Sequence, residues 1–228
     1  MEIPGTVLLS GIVGSQAYGL AMPGSDVDRL GIYALPTAAF HGLRAVQNSV
    51  VLTEPSDHTF HEAAKFCRLV LNGNPTVNEL LWLPDDLYEV QHDLGLELIE
   101  LRGAFLSAPR VRDAYLGYAK EQFDRLVKRD GSFGSDLRKR TAKHARHLLR
   151  LMIQGYGLYA TGKLQIRLGN PDEVRAFGEA VAEDWTAAQP VLEDYETRFR
   201  LTRSVLPAEP DAARVEEWLL KVRREFFS

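Results

Sequence analysis

Cysteine is almost absent: Cys67 is the only one in 228 residues. An internal disulfide needs two thiols and a thiolate zinc shell needs more, so both are excluded. A reducing, cytoplasmic setting is the expectation. No apolar run approaches the roughly 18 residues that cross a bilayer, so no membrane role is expected. The first ten residues carry no basic stretch ahead of their short apolar run, which argues against a secretory signal. Low-complexity tracts and internal repeats are missing as well. Nor does one sign of charge dominate, with 27 basic against 31 acidic side chains and a formal charge of −4. What remains is ordinary for a folded protein: 45% hydrophobic and 25% charged residues, in a length that suits one large domain or two small ones.

The even charge hides an asymmetry. Residues 1–107 hold 5 basic and 13 acidic side chains, whereas residues 108–228 hold 22 and 18. Such a contrast points to two parts with different partners. The patterning agrees. The first part reads as mixed α/β, with strands at 6–13, 27–35 and 49–53, a helical turn at 36–43 and helices at 61–71, from Asn74-Pro75, and at 94–106. The second part shows helical periodicity at 111–127, 136–160, 172–182, 187–205 and 212–226, with little strand signal. The expected class is α+β: a domain with a mixed sheet over 1–107, then an all-helical domain over 108–228.

The stretch richest in chemistry is Gly14-Ser15-Gln16-Ala17-Tyr18-Gly19-Leu20, followed by Pro23-Gly24-Ser25-Asp26-Val27-Asp28. Asp26 and Asp28 are two apart on a predicted strand, so their carboxylates project from one face. Like charges that close repel, and nothing in folding favours placing them there. A divalent cation between them removes the difficulty, and oxygen ligands suit Mg²⁺. Gly14-Ser15 stands where a strand turns into a helix, a place whose backbone N–H groups favour a phosphate. Glycine there lets a phosphate approach the backbone. A phosphate cradle ahead of a carboxylate pair is the outline of a nucleoside triphosphate site.

At these residues the sequence resembles the nucleotidyltransferase superfamily of DNA polymerase β. Within it, the sequence is most similar to the bacterial and phage nucleotidyltransferases associated with RNA repair, whose Gly-Ser-x-Ala-Tyr-Gly-Leu and Pro-Gly-Ser-Asp-x-Asp-x-x-Gly segments are matched through Gly31. The similarity continues through Asp57–Glu62, Lys65-Phe66, Asn74-Pro75-Thr76 with Glu79-Leu80-Leu81, Lys143–Arg150 and Gly162-Lys163-Leu164. The resemblance implies a polymerase-β-like fold and Mg²⁺-dependent transfer of a nucleotide from ATP or another NTP, with two metal ions for which Mn²⁺ can substitute. It implies Asp26 and Asp28 as metal ligands and a third carboxylate from a neighbouring strand. Asp57 matches that position, with Glu54 and Glu62 as competitors. Gly14, Ser15 and Ser25 would hold the nucleotide. The implied acceptor is an RNA end; a small molecule or a protein, or a non-catalytic nucleotide- or RNA-binding role on the same scaffold, stays open.

Residues 138–150 form a basic helix with no acidic member. Helical spacing puts Lys139, Lys143, Arg146 and Arg150 on one stripe, with Ala145, Leu148, Leu149, Met152 and Ile153 on the core side. Like charges at these spacings cost about 0.2–0.5 kcal/mol per pair unless an anion neutralises them. A triphosphate or RNA is one such anion, which makes Lys143, His147 and Arg150 candidate nucleotide contacts; the acidic first half is the other. His144 and His147 share a helix face but lack the further ligands of a zinc shell. His58 and His61 are weaker candidates for touching nucleotide or acceptor. Asn74-Pro75 is explained by helix initiation alone.

Overall fold

The computed structural model describes residues 3–53, 57–127 and 135–227. They belong to two compact units, Met1–Leu106 with Glu209–Ser228, and Ser107–Ala208. The first unit is built on a five-stranded mixed sheet of order β3-β4-β2-β1-β5. Strand β1 (Thr6–Ile12) pairs antiparallel with β2 (Arg29–Ala34) and with β5 (Tyr88–Gln91). Strand β4 (His58–Glu62) runs parallel to β2 and antiparallel to β3 (Ser49–Leu52). Leu30 to Ala34 are buried without a break, the pattern of a central strand covered on both faces.

Short helices follow from local signals. Helix α1 (Gly14–Tyr18) leaves the end of β1. Helix α2 (Ala63–Leu71) starts from the last residue of β4, because the Glu62 carboxylate accepts the Ala64 N–H at 2.9 Å and acts as its N-cap. Cys67 lies buried in α2, where burial, with the Glu62 charge beside it, pushes the thiol up to about 12, far from a reactive thiolate. Helix α3 (Pro75–Asn78) is capped by Asn74, which accepts the Val77 N–H at 3.0 Å. A 3₁₀ turn over Glu79–Trp82 follows. Helix α4 (Asp93–Glu100) ends in a 3₁₀ turn over Leu101–Phe105. Leu8, Leu9, Ile32, Phe66, Leu80 and Leu98 are fully buried, each worth about 1.5–3 kcal/mol of apolar burial.

The second unit is helical, with α5 (Ala108–Val127), α6 (Ser135–Thr161), α7 (Pro171–Glu183) and α8 (Ala188–Leu201). The long α6 packs against all three of the others. No helix among the described residues is long and apolar enough to cross a membrane.

The division differs from the expected 1–107 and 108–228. The last helix, α9 (Ala212–Glu225), belongs to the sheet-bearing unit. Its buried Trp218 donates its indole N–H to the Leu94 carbonyl at 2.9 Å, and Arg223 reaches the Glu62 carboxylate at 2.6 Å. Helical periodicity places a helix but does not say which core it covers.

Candidate active site

The sheet brings one end of β1, β2 and β4 together. The Val13 N–H donates to the Asp28 carbonyl at 2.9 Å, and the Arg29 N–H donates to the Asp57 carbonyl at 2.9 Å. These are the last rungs on either side of β2. They set Asp28 between the Val13-Gly14 turn and Asp57. Asp26 and Asp28 were expected on the strand itself, but β2 begins at Arg29. The reason is that β1 ends at Ile12 and the chain turns away at Gly14, φ +71°, so the β1–β2 ladder ends at the Ile12–Arg29 pair, just past Asp28. Asp26 and Asp57 are exposed, and Asp28 is half-buried.

Gly14 meets two demands. Its positive φ suits glycine, and a Cβ there would stand 2.5 Å from Asp28 Oδ2. The Asp28 carboxylate thus lies against the turn, in space that any side chain at 14 would fill. Ser15 follows in α1, whose N-cap, Val13, supplies no side-chain cap. Ser25 Oγ accepts the Met22 N–H at 2.8 Å, so this hydroxyl closes the turn that precedes Asp26. The motif's last glycine has a packing role: a Cβ on Gly31 would stand 2.3 Å from the Phe60 ring of β4.

Asp28 and Asp57 flank the start of β2 at one end of the sheet, and Asp26 lies two residues ahead of Asp28 in the loop. Among the described residues, no three His, Cys, Asp or Glu side chains are gathered closely enough to hold a metal ion. The donor chemistry of Asp26, Asp28 and Asp57, carboxylate oxygens, nevertheless suits a hard cation. Of the competitors for the third position, Glu54 lies outside the described residues. Glu62 is ruled out by its place. It stands at the opposite end of β4 from Asp57, 1% exposed, engaged by Arg223 and by the start of α2.

Neighbouring side chains stiffen this edge. Arg29 Nε donates to both Glu89 carboxylate oxygens, at 2.9 and 2.8 Å, and its Nη1 lies 3.0 Å from His58 Nε2. Arg29 therefore links β2 with β4 and β5 directly beside Asp28 and Asp57. His61 turns into the fold instead, with Nδ1 2.8 Å from Ser49 Oγ. Burial and the Lys65 charge lower its pKa to about 4. Behind α1, the Tyr18 hydroxyl donates to Glu79 Oε2 at 2.6 Å, and both side chains are buried. The sequence motifs include Tyr18 and Glu79 but assign neither a partner, and Arg29 carries no role in them. Arg29 stood in the motif as a bare strand residue, and the Tyr18–Glu79 pair spans 61 positions.

In the second unit, the candidate nucleotide contacts on α6 separate. Lys143 is exposed. Arg150 was expected on an exposed stripe and is 1% exposed instead. Its Nη1 donates to Gln154 Oε1 at 2.6 Å and its Nη2 lies 3.1 Å from His147 Nδ1. Gln154 in turn donates to the Gln165 and Ile166 carbonyls at 3.1 and 3.0 Å. Residues 148–152 are all buried, so this part of α6 is enclosed all round and has no solvent face. The expected core residues Ala145, Leu148, Leu149 and Met152 are buried, and Ile153 is half-buried. Burial and the Arg150 guanidinium push the half-buried His147 imidazole down to about 3, so it is neutral. His144 Nδ1 lies 2.7 Å from Gln122 Oε1 of α5. Acid within this unit neutralises part of the basic helix: Arg138 pairs with Glu183 at 2.5 Å and Glu179 at 3.5 Å, and Arg146, the one stripe member so paired, with Glu179 at 3.9 Å. Lys139, Arg140 and Lys143 remain exposed, with no carboxylate partner among the described residues.

The model of the RNA repair pathway DNA polymerase beta family, RlaP, matches residues 2–167, well over half of the chain. The chain belongs to this family. A comparison with curated proteins found no match. The RlaP match covers every strand of the sheet and helices α1 to α6, and the mixed sheet followed by helices is the polymerase-β-like α+β architecture. Helices α7 to α9 lie beyond the matched residues.

Proposed function

We propose that this RlaP-family chain transfers a nucleoside monophosphate from an NTP to the hydroxyl of an RNA end, releasing pyrophosphate, in a Mg²⁺-dependent reaction. The observation that carries the reading is the Asp28 carboxylate lying against the Gly14 turn, with the Asp57 backbone bonded across the first rung of β2.

In this reading Asp26, Asp28 and Asp57 hold the metal, which when bound supplies charge neutralisation at the transferring phosphate. The N–H groups of the Gly14-Ser15 turn receive the β- and γ-phosphate oxygens, which a side chain at 14 would crowd out. Asp57, exposed at the edge, accepts the proton of the attacking hydroxyl on a carboxylate oxygen. The hydroxyl oxygen bonds to the α-phosphorus as the bond to the pyrophosphate oxygen breaks. Most of the rate then comes from positioning and from fixed charges rather than from covalent chemistry. The bridge from Arg29 to Glu89 and His58 keeps the carboxylate-bearing strand ends from moving apart.

Lys139, Arg140 and Lys143 are the cationic part of α6 available to RNA. If each meets one phosphate of a single strand, binding falls with salt on a log–log slope of about −2. Arg150 is buried and His147 is neutral and tied to it, so neither takes part as a nucleotide contact in this reading.

The test is pyrophosphate release with Mg²⁺, each NTP and an RNA acceptor, comparing the natural chain with Asp26→Ala plus Asp28→Ala. Loss of at least about a thousandfold is expected from removing both carboxylates. Turnover that survives the double substitution contradicts the reading.

A further inference from the structure

Helix α1 is five residues long, too short to hold itself together, since a helix that small cannot recover the cost of its first turn. It enters at Gly14 with φ +71° and leaves at Gly19 with φ +75°, so neither end continues a neighbouring element. Its N-cap makes no side-chain bond. The orientation of the turn must come from tertiary ties, and Ala17 and Tyr18 are its buried residues. Tyr18 ends in a 2.6 Å hydrogen bond to Glu79, a carboxylate 1% exposed.

Glu79 is itself firmly placed. Asn74 caps the helix that leads to it, Pro75 occupies that helix's first turn, and Leu80 and Leu81 beyond it are fully buried. The bond therefore joins a short turn without a side-chain cap to a firmly placed one across 61 residues. A buried hydroxyl bonded to a carboxylate is also costly to break, because both groups would lose a partner away from water.

We propose that Tyr18 and Glu79 are positioning residues for the nucleotide: their bond fixes the Gly14-Ser15 turn, and the segment from Asn74 to Leu81 is the platform that holds it. The part of this inference that concerns nucleotide rests on the nucleotidyl-transfer reading; the part that concerns the turn does not. Neither side chain touches the reacting atoms. Loss of the bond loosens phosphate binding in ground and transition states alike, so it raises KM and leaves kcat nearly unchanged.

The experiment compares the full chain with Tyr18→Phe, Glu79→Gln and the double variant, by amide hydrogen exchange without nucleotide and by NTP kinetics. For Tyr18→Phe, exchange at residues 14–19 rises about tenfold while α4 and α9 keep their protection. KM for NTP rises about tenfold, with kcat within about twofold. Glu79→Gln keeps an acceptor oxygen and shows a smaller rise. The double variant is no worse than Tyr18→Phe alone, as coupled partners require. Should Tyr18→Phe unfold the chain, Glu79→Gln and its exchange pattern carry the comparison. Unchanged exchange at 14–19, or a rise spread evenly over the first unit, overturns the positioning role. An unchanged KM beside a local rise in exchange overturns its link to nucleotide. A natural chain that uses no NTP overturns the nucleotidyl-transfer reading, and exchange alone then decides whether the bond fixes the turn.

Discussion

Gly14 and Gly19 make an informative contrast at the scale of single residues. Both have positive φ, so alanine at either strains the backbone by about 1 kcal/mol. Only at Gly14 does an added Cβ meet something: Asp28 Oδ2 at 2.5 Å, against nothing within 4 Å at Gly19. Gly14→Ala must therefore push the Asp28 carboxylate aside. A shift of that size near reacting groups costs about a hundredfold in rate. Gly14→Ala is expected to lower kcat/KM by about that factor, with Gly19→Ala losing no more than about tenfold, as steady-state pyrophosphate release would show. Equal losses at the two positions would mean that strain alone, and not the carboxylate beside Gly14, explains the first glycine.

At the scale of elements, what could be read from the chain depended on how self-contained each signal was. The run Thr6–Val13 with its glycine turn, the Asp-x-Asp stretch and the long helical periodicities were legible because spacing alone reports them. Strand β4 was not, because Glu62 ends the strand and caps α2 at once, leaving no turn residue between them. Strand β5 has four residues, mostly exposed, and owes its form to pairing with β1. Arg150 looked like a member of an exposed stripe because helical spacing gives a side chain's angle but not what packs there. The segment Gln165–Ile166, bonded to Gln154, sits on that angle.

Helix α9 is another element whose role came only from tertiary structure, and its energetics can be checked. The Glu62 carboxylate is buried and meets the Arg223 guanidinium at 2.6 Å, with that guanidinium 4.1 Å from the centre of the Phe40 ring. Removing one partner of a buried pair leaves a charge without compensation, at a cost of about 3 kcal/mol. Arg223→Met should lower the urea midpoint accordingly, while Lys221→Met, which breaks the exposed pair with Glu97, should change it little. Equal effects of the two substitutions would mean that the buried pair does not anchor α9.

For the whole molecule, the formal charge of −4 is a poor guide to partners. The acidic half carries the carboxylates assigned to the metal, and the basic half spends Arg138 and Arg146 on Glu179 and Glu183 within its own unit. Lys139, Arg140 and Lys143 are what α6 leaves for an external anion.

Each unit also holds a histidine neutral, the buried His61 in the first and the half-buried His147 in the second, at about 4 and about 3 against an ordinary 6.5. The unfolded chain takes up protons at these positions below about pH 6.5 and the folded chain does not, so stability rises with pH across this window. It is greatest above about 6.5 and falls as pH drops toward the folded values. A melting curve series from pH 7 to 4.5 should show this decline, and His147→Gln should flatten part of it. A decline that is unchanged in His147→Gln would place its source elsewhere.

The central claim is that the carboxylate edge transfers the nucleotidyl group and not a single phosphate. It is tested most directly by giving the protein Mg²⁺, RNA and an NTP labelled at either the α- or the γ-phosphorus. The account predicts that label enters RNA from the α-position only, and is lost with Asp26→Ala plus Asp28→Ala. Label entering from the γ-position, or from the α-position in the double variant, would contradict it.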